Sequence, residues 1–105
     1  MKKIKIDFYF THLGELVERI KTFIHRNRCK ELEADISLLN LIDASKTALL
    51  CSTYHFAKYP DGRILWELRD AQTMKMISPM KLKNMELRVK EELSGEEGGC
   101  LRAGA

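Results

Sequence analysis

The stretch Glu31 to Cys51, ELEADISLLNLIDASKTALLC, constrains the fold more than any other part of this chain. Leu32, Ala34, Ile36 and Leu38 alternate with Glu31, Glu33, Asp35 and Ser37, the period-two pattern of a strand with one apolar and one wet face. The alternation runs into Asp43, which suits a helix N-cap because its carboxylate can accept free N–H groups of the next turn. Ala44 to Ala57 then reads as a helix ending before Pro60.

That last segment has a competing reading. Ser52-Thr53-Tyr54-His55-Phe56 is rich in strand formers, and Tyr59-Pro60-Asp61-Gly62-Arg63 is a strong turn signal that could close a hairpin onto the next strand. The apolar residues of 44–57 are scattered on a helical wheel, so periodicity does not decide. Asp43-Ala44-Ser45-Lys46 opens a helix well, and we take the helix.

The flanks are clearer. Ile4, Ile6, Phe8 and Phe10 alternate with Lys3, Lys5, Asp7 and Tyr9 in a first strand. Thr11 can cap a helix whose Leu13, Leu16, Val17, Ile20, Phe23 and Ile24 form one stripe, with Glu15 and Arg19 an outward i,i+4 pair and Asn27-Arg28 its end. Ile64, Trp66 and Leu68 mark a third strand, and Asp70 caps a short helix with Ala71, Met74 and Ile77, stopped by Pro79. Met85, Leu87 and Val89 mark a fourth strand. From Glu91 the sequence EELSGEEGGCLRAGA loses periodicity, which predicts a disordered tail over 91–105 beyond a single domain over 1–90.

The expected fold is α/β, a βαβαβαβ order with about four strands. Alternating strands rather than continuous apolar runs predict two layers, with helices mainly on one face and a polar or partner-covered face opposite.

Composition excludes several classes. At 105 residues, 45% hydrophobic and 31% charged, the chain is sized for one soluble core without disulfides or metal. Cys29, Cys51 and Cys100 are widely spaced and odd in number, which fits reduced thiols in a cytoplasm. No apolar run approaches the ~20 residues that span a bilayer, and Lys5 and Asp7 interrupt any signal-peptide core. Of the net +3, residues 1–30 contribute +5, with Lys2, Lys3, Lys5, Arg19, Lys21, Arg26, Arg28 and Lys30 set against Asp7, Glu15 and Glu18. Four of these fall at the end of the first helix, where cations offset the helix dipole. A nucleic-acid surface would interleave them with exposed aromatics, and most of the rings fall at expected core positions instead.

Glu33-Ala34-Asp35-Ile36-Ser37-Leu38-Leu39-Asn40-Leu41-Ile42-Asp43-Ala44-Ser45-Lys46 resembles the central motif of STAS domains, those of sulfate transporters and anti-sigma-factor antagonists. The resemblance covers about residues 31–90. It implies a strand leading through a short loop into a helix start that meets a partner, with helices largely on one face of the sheet. The chain also departs from the pattern. Ala44 stands where regulated antagonists carry the phosphorylated serine, Ser45 lies one residue later, and Lys46 replaces the usual glycine. The first hairpin is shortened to one strand. These departures favour a constitutive binding role over phosphorylation at Ser45.

Two chemical readings stand beside it. Cys51 and His55, four apart, with Asp43 nearby in sequence, could form a thiolate, a base and an orienting carboxylate, although a buried Cys is commonly a small hydrophobe. His25 with Cys29 and Cys51 with His55 offer two imidazoles and two thiols, in an order unlike known zinc fingers. Trp66 and the methionines, Met74, Met76 and Met80 included, read as core packing.

The expectation is therefore a small cytoplasmic regulatory or protein-interaction domain without catalysis, metal or cofactor, off the membrane, with a protein partner rather than nucleic acid. Asn40, Asp43, Ser45 and Lys46 cluster as its expected partner-binding surface. Against this stands the plainer reading that Asp43 only caps and Asn40 only satisfies the loop.

Overall fold

The computed structural model describes residues 2–6 and 11–90. Four strands, β1 (Lys2–Lys5), β2 (Glu31–Asp35), β3 (Arg63–Leu68) and β4 (Met85–Val89), alternate with helices α1 (Leu13–Asn27), α2 (Leu41–Lys58) and α3 (Ala71–Ile77). A 3-10 turn over Ser78–Met80 follows α3, with Pro79 in its first positions. All neighbouring strands pair in parallel, in the sequential order β1-β2-β3-β4.

Register explains the core. Ile4, Ala34, Trp66 and Leu87 lie side by side across the sheet, as do Leu32, Ile64 and Met85. These residues face the helices, and Leu16, Val17, Ile20 and Ile24 of α1 close over them. The fully buried Trp66 indole stands beside small Ala34, so one large and one small side chain share the layer. The opposite residues, Lys3, Lys5, Glu33, Asp35, Glu67 and Arg88, make the other face polar, as the alternation predicts.

Local details correct the sequence reading. The N-cap of α1 is His12, whose Nδ1 accepts from the Glu15 amide at 3.2 Å. Thr11 sits just outside, its amide and hydroxyl donating to Glu15 Oε1 at 3.0 and 2.9 Å, so the glutamate ties back the incoming chain. At the other end Arg28 takes a left-handed conformation, φ 50°, while the Cys29 amide donates back to Ile24 O at 3.1 Å. β1 ends at Lys5, with Ile6 buried beyond it; Phe8, Tyr9 and Phe10 of the expected longer strand lie outside the described residues. So does the expected tail over 91–105, Cys100 included.

β2 stops at Asp35. Its Oδ1 accepts the Ser37 amide at 2.9 Å and hydroxyl at 2.6 Å, turning the chain and breaking the alternation. Leu39 enters the core in place of Leu38, which is left 62% exposed. The segment 44–57 is helical, within the longer α2. The turn at Pro60-Asp61 joins α2 to β3 and closes no hairpin. Gly62 is required there, because a Cβ would stand 2.4 Å from Lys30 O and 2.9 Å from His55 Cε1. Asp70 caps α3 as expected, accepting from the Thr73 amide at 2.9 Å. Met76 and Met80 are exposed and do not pack the core.

Candidate functional site

The expected contact surface lies at the start of α2, with a different cap from the one expected. Asn40 is the N-cap: its Oδ1 accepts the Asp43 amide at 2.8 Å, and its Nδ2 donates to Asp43 Oδ2 at 3.3 Å. Asp43 therefore sits three residues into the helix and answers the cap instead of being it. Ser45 is only 5% exposed, and its hydroxyl donates to Leu41 O at 2.8 Å. A buried hydroxyl held by its own helix does not face a partner. Asn40 and Lys46 are exposed and Asp43 is half-buried, so three of the four expected residues reach the surface.

Large apolar side chains surround them, and the sequence reading did not single these out. Ile42, Leu50 and Phe56 are 48, 53 and 40% exposed. With Lys46, half-buried Leu49, Thr53 and Ala57, they form the outward side of α2, a helix side carrying one charge. A surface helix normally turns charged residues outward, and an all-round apolar helix is normally covered on every side. Each half-exposed aliphatic or aromatic group retains roughly 1 kcal/mol of burial to gain. The scatter of apolar residues over 44–57 was the one sequence signal of this arrangement.

The inward side of α2 is polar and small instead. Ala44, Ser45, Thr47, Ala48, Cys51, Ser52 and His55 face the core. Ser52 Oγ accepts from the Trp66 indole N–H at 2.7 Å. His55 Nε2 donates to Cys29 O at 2.8 Å, and its Nδ1 accepts from Asn84 Nδ2 at 3.3 Å, which also donates to Ser52 O at 3.1 Å. The Tyr59 ring tilts against the imidazole with centroids 5.5 Å apart. Thr47 Oγ1 and Asn84 Oδ1 are buried without a hydrogen-bond partner among the described residues.

This network engages the side chains of the chemical reading separately. Both nitrogens of His55 are committed to groups other than Cys51. Cys51 Sγ lies 4.0 Å from Val17 O, and burial pushes its thiol up to about 12, leaving no thiolate near neutrality. The Asp43 carboxylate is held by Asn40. The two Cys/His pairs do not converge either, because His25 is exposed while Cys29 is buried. Among the described residues no three His, Cys, Asp or Glu side chains gather as metal ligands.

Two other surfaces bear on the site. The open sheet face holds a shallow concavity of about 310 Å³ lined by Lys3, Ile4, Lys5, Glu33, Asp35 and Glu67. Most of its carboxylates are paired: Arg88 bridges Glu33 at 2.8 Å and Glu67 at 3.4 Å, Lys90 meets Asp35 at 3.2 Å, and Arg63 pairs with Glu86. Partial burial pushes Asp35 up, but the Ser37 hydroxyl and amide and the Lys90 ammonium outweigh it and hold the carboxyl below its ordinary range. The second surface is a groove of about 560 Å³ along α1 beside Ile4, lined by Glu15, Glu18, Arg19, Phe23 and Arg26 among others. Several of the basic residues of the first third are engaged, Lys30 with Asp61 at 2.8 Å and Lys21 with Glu18 at 3.7 Å and with the Tyr54 ring. No described helix is long and apolar enough to cross a membrane.

Comparison with known protein families, curated proteins and solved structures finds no match for this chain.

Proposed function

We propose that this chain is a small non-catalytic regulatory module of STAS-like type that acts by binding a protein, through the start and outward side of α2. The observation that carries this reading is the apolar outward side of α2, with Ile42 and Leu50 about half exposed beside Asn40 and Lys46. The exposed Leu38, from the loop leading into the helix, extends the same surface. Apolar groups ringed by a few polar ones make a binding surface. A sheet with its buried side chains all turned toward the helices also agrees with the packing that the STAS resemblance implies.

Binding of this kind is constitutive. Ala44 offers no hydroxyl, and the Ser45 hydroxyl is buried and donated to Leu41 O. A kinase would have to open the first turn of α2 to reach it.

The test is affinity capture from the native cell with tagged wild-type chain, Lys46→Glu and Leu50→Glu, each checked by thermal melting. We expect both variants to melt within about 0.5 kcal/mol of wild type, since both positions are exposed, and to recover less partner. Undiminished recovery with both variants would move the interface off α2, the open sheet face around Glu33 and Asp35 being next to test.

A further inference from the structure

The outward side of α2 matches itself, and this identifies an occupant. We propose that a second copy of this chain packs antiparallel against it, forming a two-fold dimer; the inference rests on the binding role assigned to this helix above. α2 has 18 residues, a rod of roughly 27 Å, with Leu49 and Leu50 at its centre. With the two-fold axis between these leucines, the central leucines of the copies meet. Ile42 of one copy lies over Ala57 of the other, and Lys46 lies over Thr53. No like charges oppose each other.

Charge favours this direction over the parallel one. Asp43 stands in the first turn of α2 and Lys58 closes the last, so antiparallel copies bring carboxylate toward ammonium at both ends. Antiparallel helix dipoles also attract, whereas a parallel pair would set Lys46 on Lys46 and align like ends. An axis lying across the helices sets α1 against α1 of the second copy. The antiparallel pairing of α2 is isologous, each contact occurring twice about the axis.

The size of the surface sets the strength. A single helix side is narrower than the about 800 Å² per partner of a standard interface, so α1 and exposed Met76 of α3 must contribute. The dimer is accordingly concentration-dependent, with dissociation in the roughly micromolar range.

The experiment is sedimentation across a concentration series of the full chain, followed by cross-linking. The wild type should pass from monomer to dimer. Leu50→Glu, which sets two carboxylates together beside the axis, should weaken association by roughly a hundredfold with an unchanged melting curve. In a Cys100→Ser background, Leu50→Cys should give disulfide-linked dimers under mild oxidation, because Leu50 of one copy lies beside Leu50 of the other. Ile42→Cys should not, because its counterpart lies at the far end of the helix. A chain that stays monomeric throughout, or a dimer indifferent to Leu50→Glu, overturns the second copy as occupant. Efficient cross-linking of Ile42→Cys overturns the antiparallel arrangement. The module reading is judged separately, by whether partner recovery falls with Lys46→Glu and Leu50→Glu.

Discussion

α1 and α2 lie side by side over the same face of the same sheet, and their polarity is opposite. α1 turns Leu16, Val17, Ile20 and Ile24 inward and Glu18, Arg19, Thr22, His25 and Arg26 outward. α2 turns Ser45, Thr47, Cys51, Ser52 and His55 inward and Ile42, Leu50 and Phe56 outward. The first arrangement is complete by itself. The second is closer to complete on the inside, where Trp66, Cys29 and Asn84 answer Ser52 and His55, while its outer apolar groups Ile42, Leu50 and Phe56 stay about half exposed among the described residues. The contrast separates a helix that only builds the domain from one whose outward side we propose as a binding surface.

The sharpest way to break this comparison is to remove the polar groups from the inner side of α2. His55→Ala should cost about 3 to 5 kcal/mol, since it opens a cavity and leaves the Cys29 carbonyl and one N–H of the Asn84 amide unpaired in the core. Chemical denaturation measures this. A near-neutral substitution would mean that His55 is not structural, and loss of a turnover with an unchanged melting curve would favour the Cys51/His55 chemistry.

Next in size are the helix starts. Asn40→Ala should cost about 0.5 to 2 kcal/mol and Asp43→Ala distinctly less, because Asn40 holds the cap. The reverse order in thermal melts would restore Asp43 as the capping residue and give the start of α2 a different geometry.

At the end of α1 the expected change is a gain. Arg28→Gly relieves a left-handed backbone and should stabilise the fold by roughly 0.5 to 1 kcal/mol. Unchanged or lowered stability would show that the Arg28 side chain contributes more than its backbone strain costs.

The smallest effect concerns the open sheet face, whose carboxylates Glu33, Asp35, Glu67 and Glu86 are paired within the chain. Asp35 has a folded pKa below its unfolded value near 3.9, so it adds stability at neutral pH that is lost as the pH falls below about 4. Lys90→Met removes one partner of Asp35 and should flatten the acid limb of a stability–pH curve, while neutral-pH stability changes little. An acid limb identical to wild type would assign that pH dependence to other carboxylates.

The alternation of Leu32, Ala34 and Ile36, of Ile64, Trp66 and Leu68, and the stripe of α1 were legible in the sequence because each depends on a local period meeting one apolar layer. Asp70 as a cap and the Pro60-Asp61 turn were legible for the same reason, since both act over a few bonds. Which leucine of Leu38-Leu39 enters the core was not, because the Asp35–Ser37 turn shifts the register there. The cap was misplaced because Asn40 and Asp43 both suit the position, and only the path of the chain leaving β2 chooses between them. The outer side of α2 was least legible of all. A serine and a histidine become interior residues only when an indole, a carbonyl and an amide from distant parts of the chain arrive to satisfy them, and that meeting belongs to the tertiary structure.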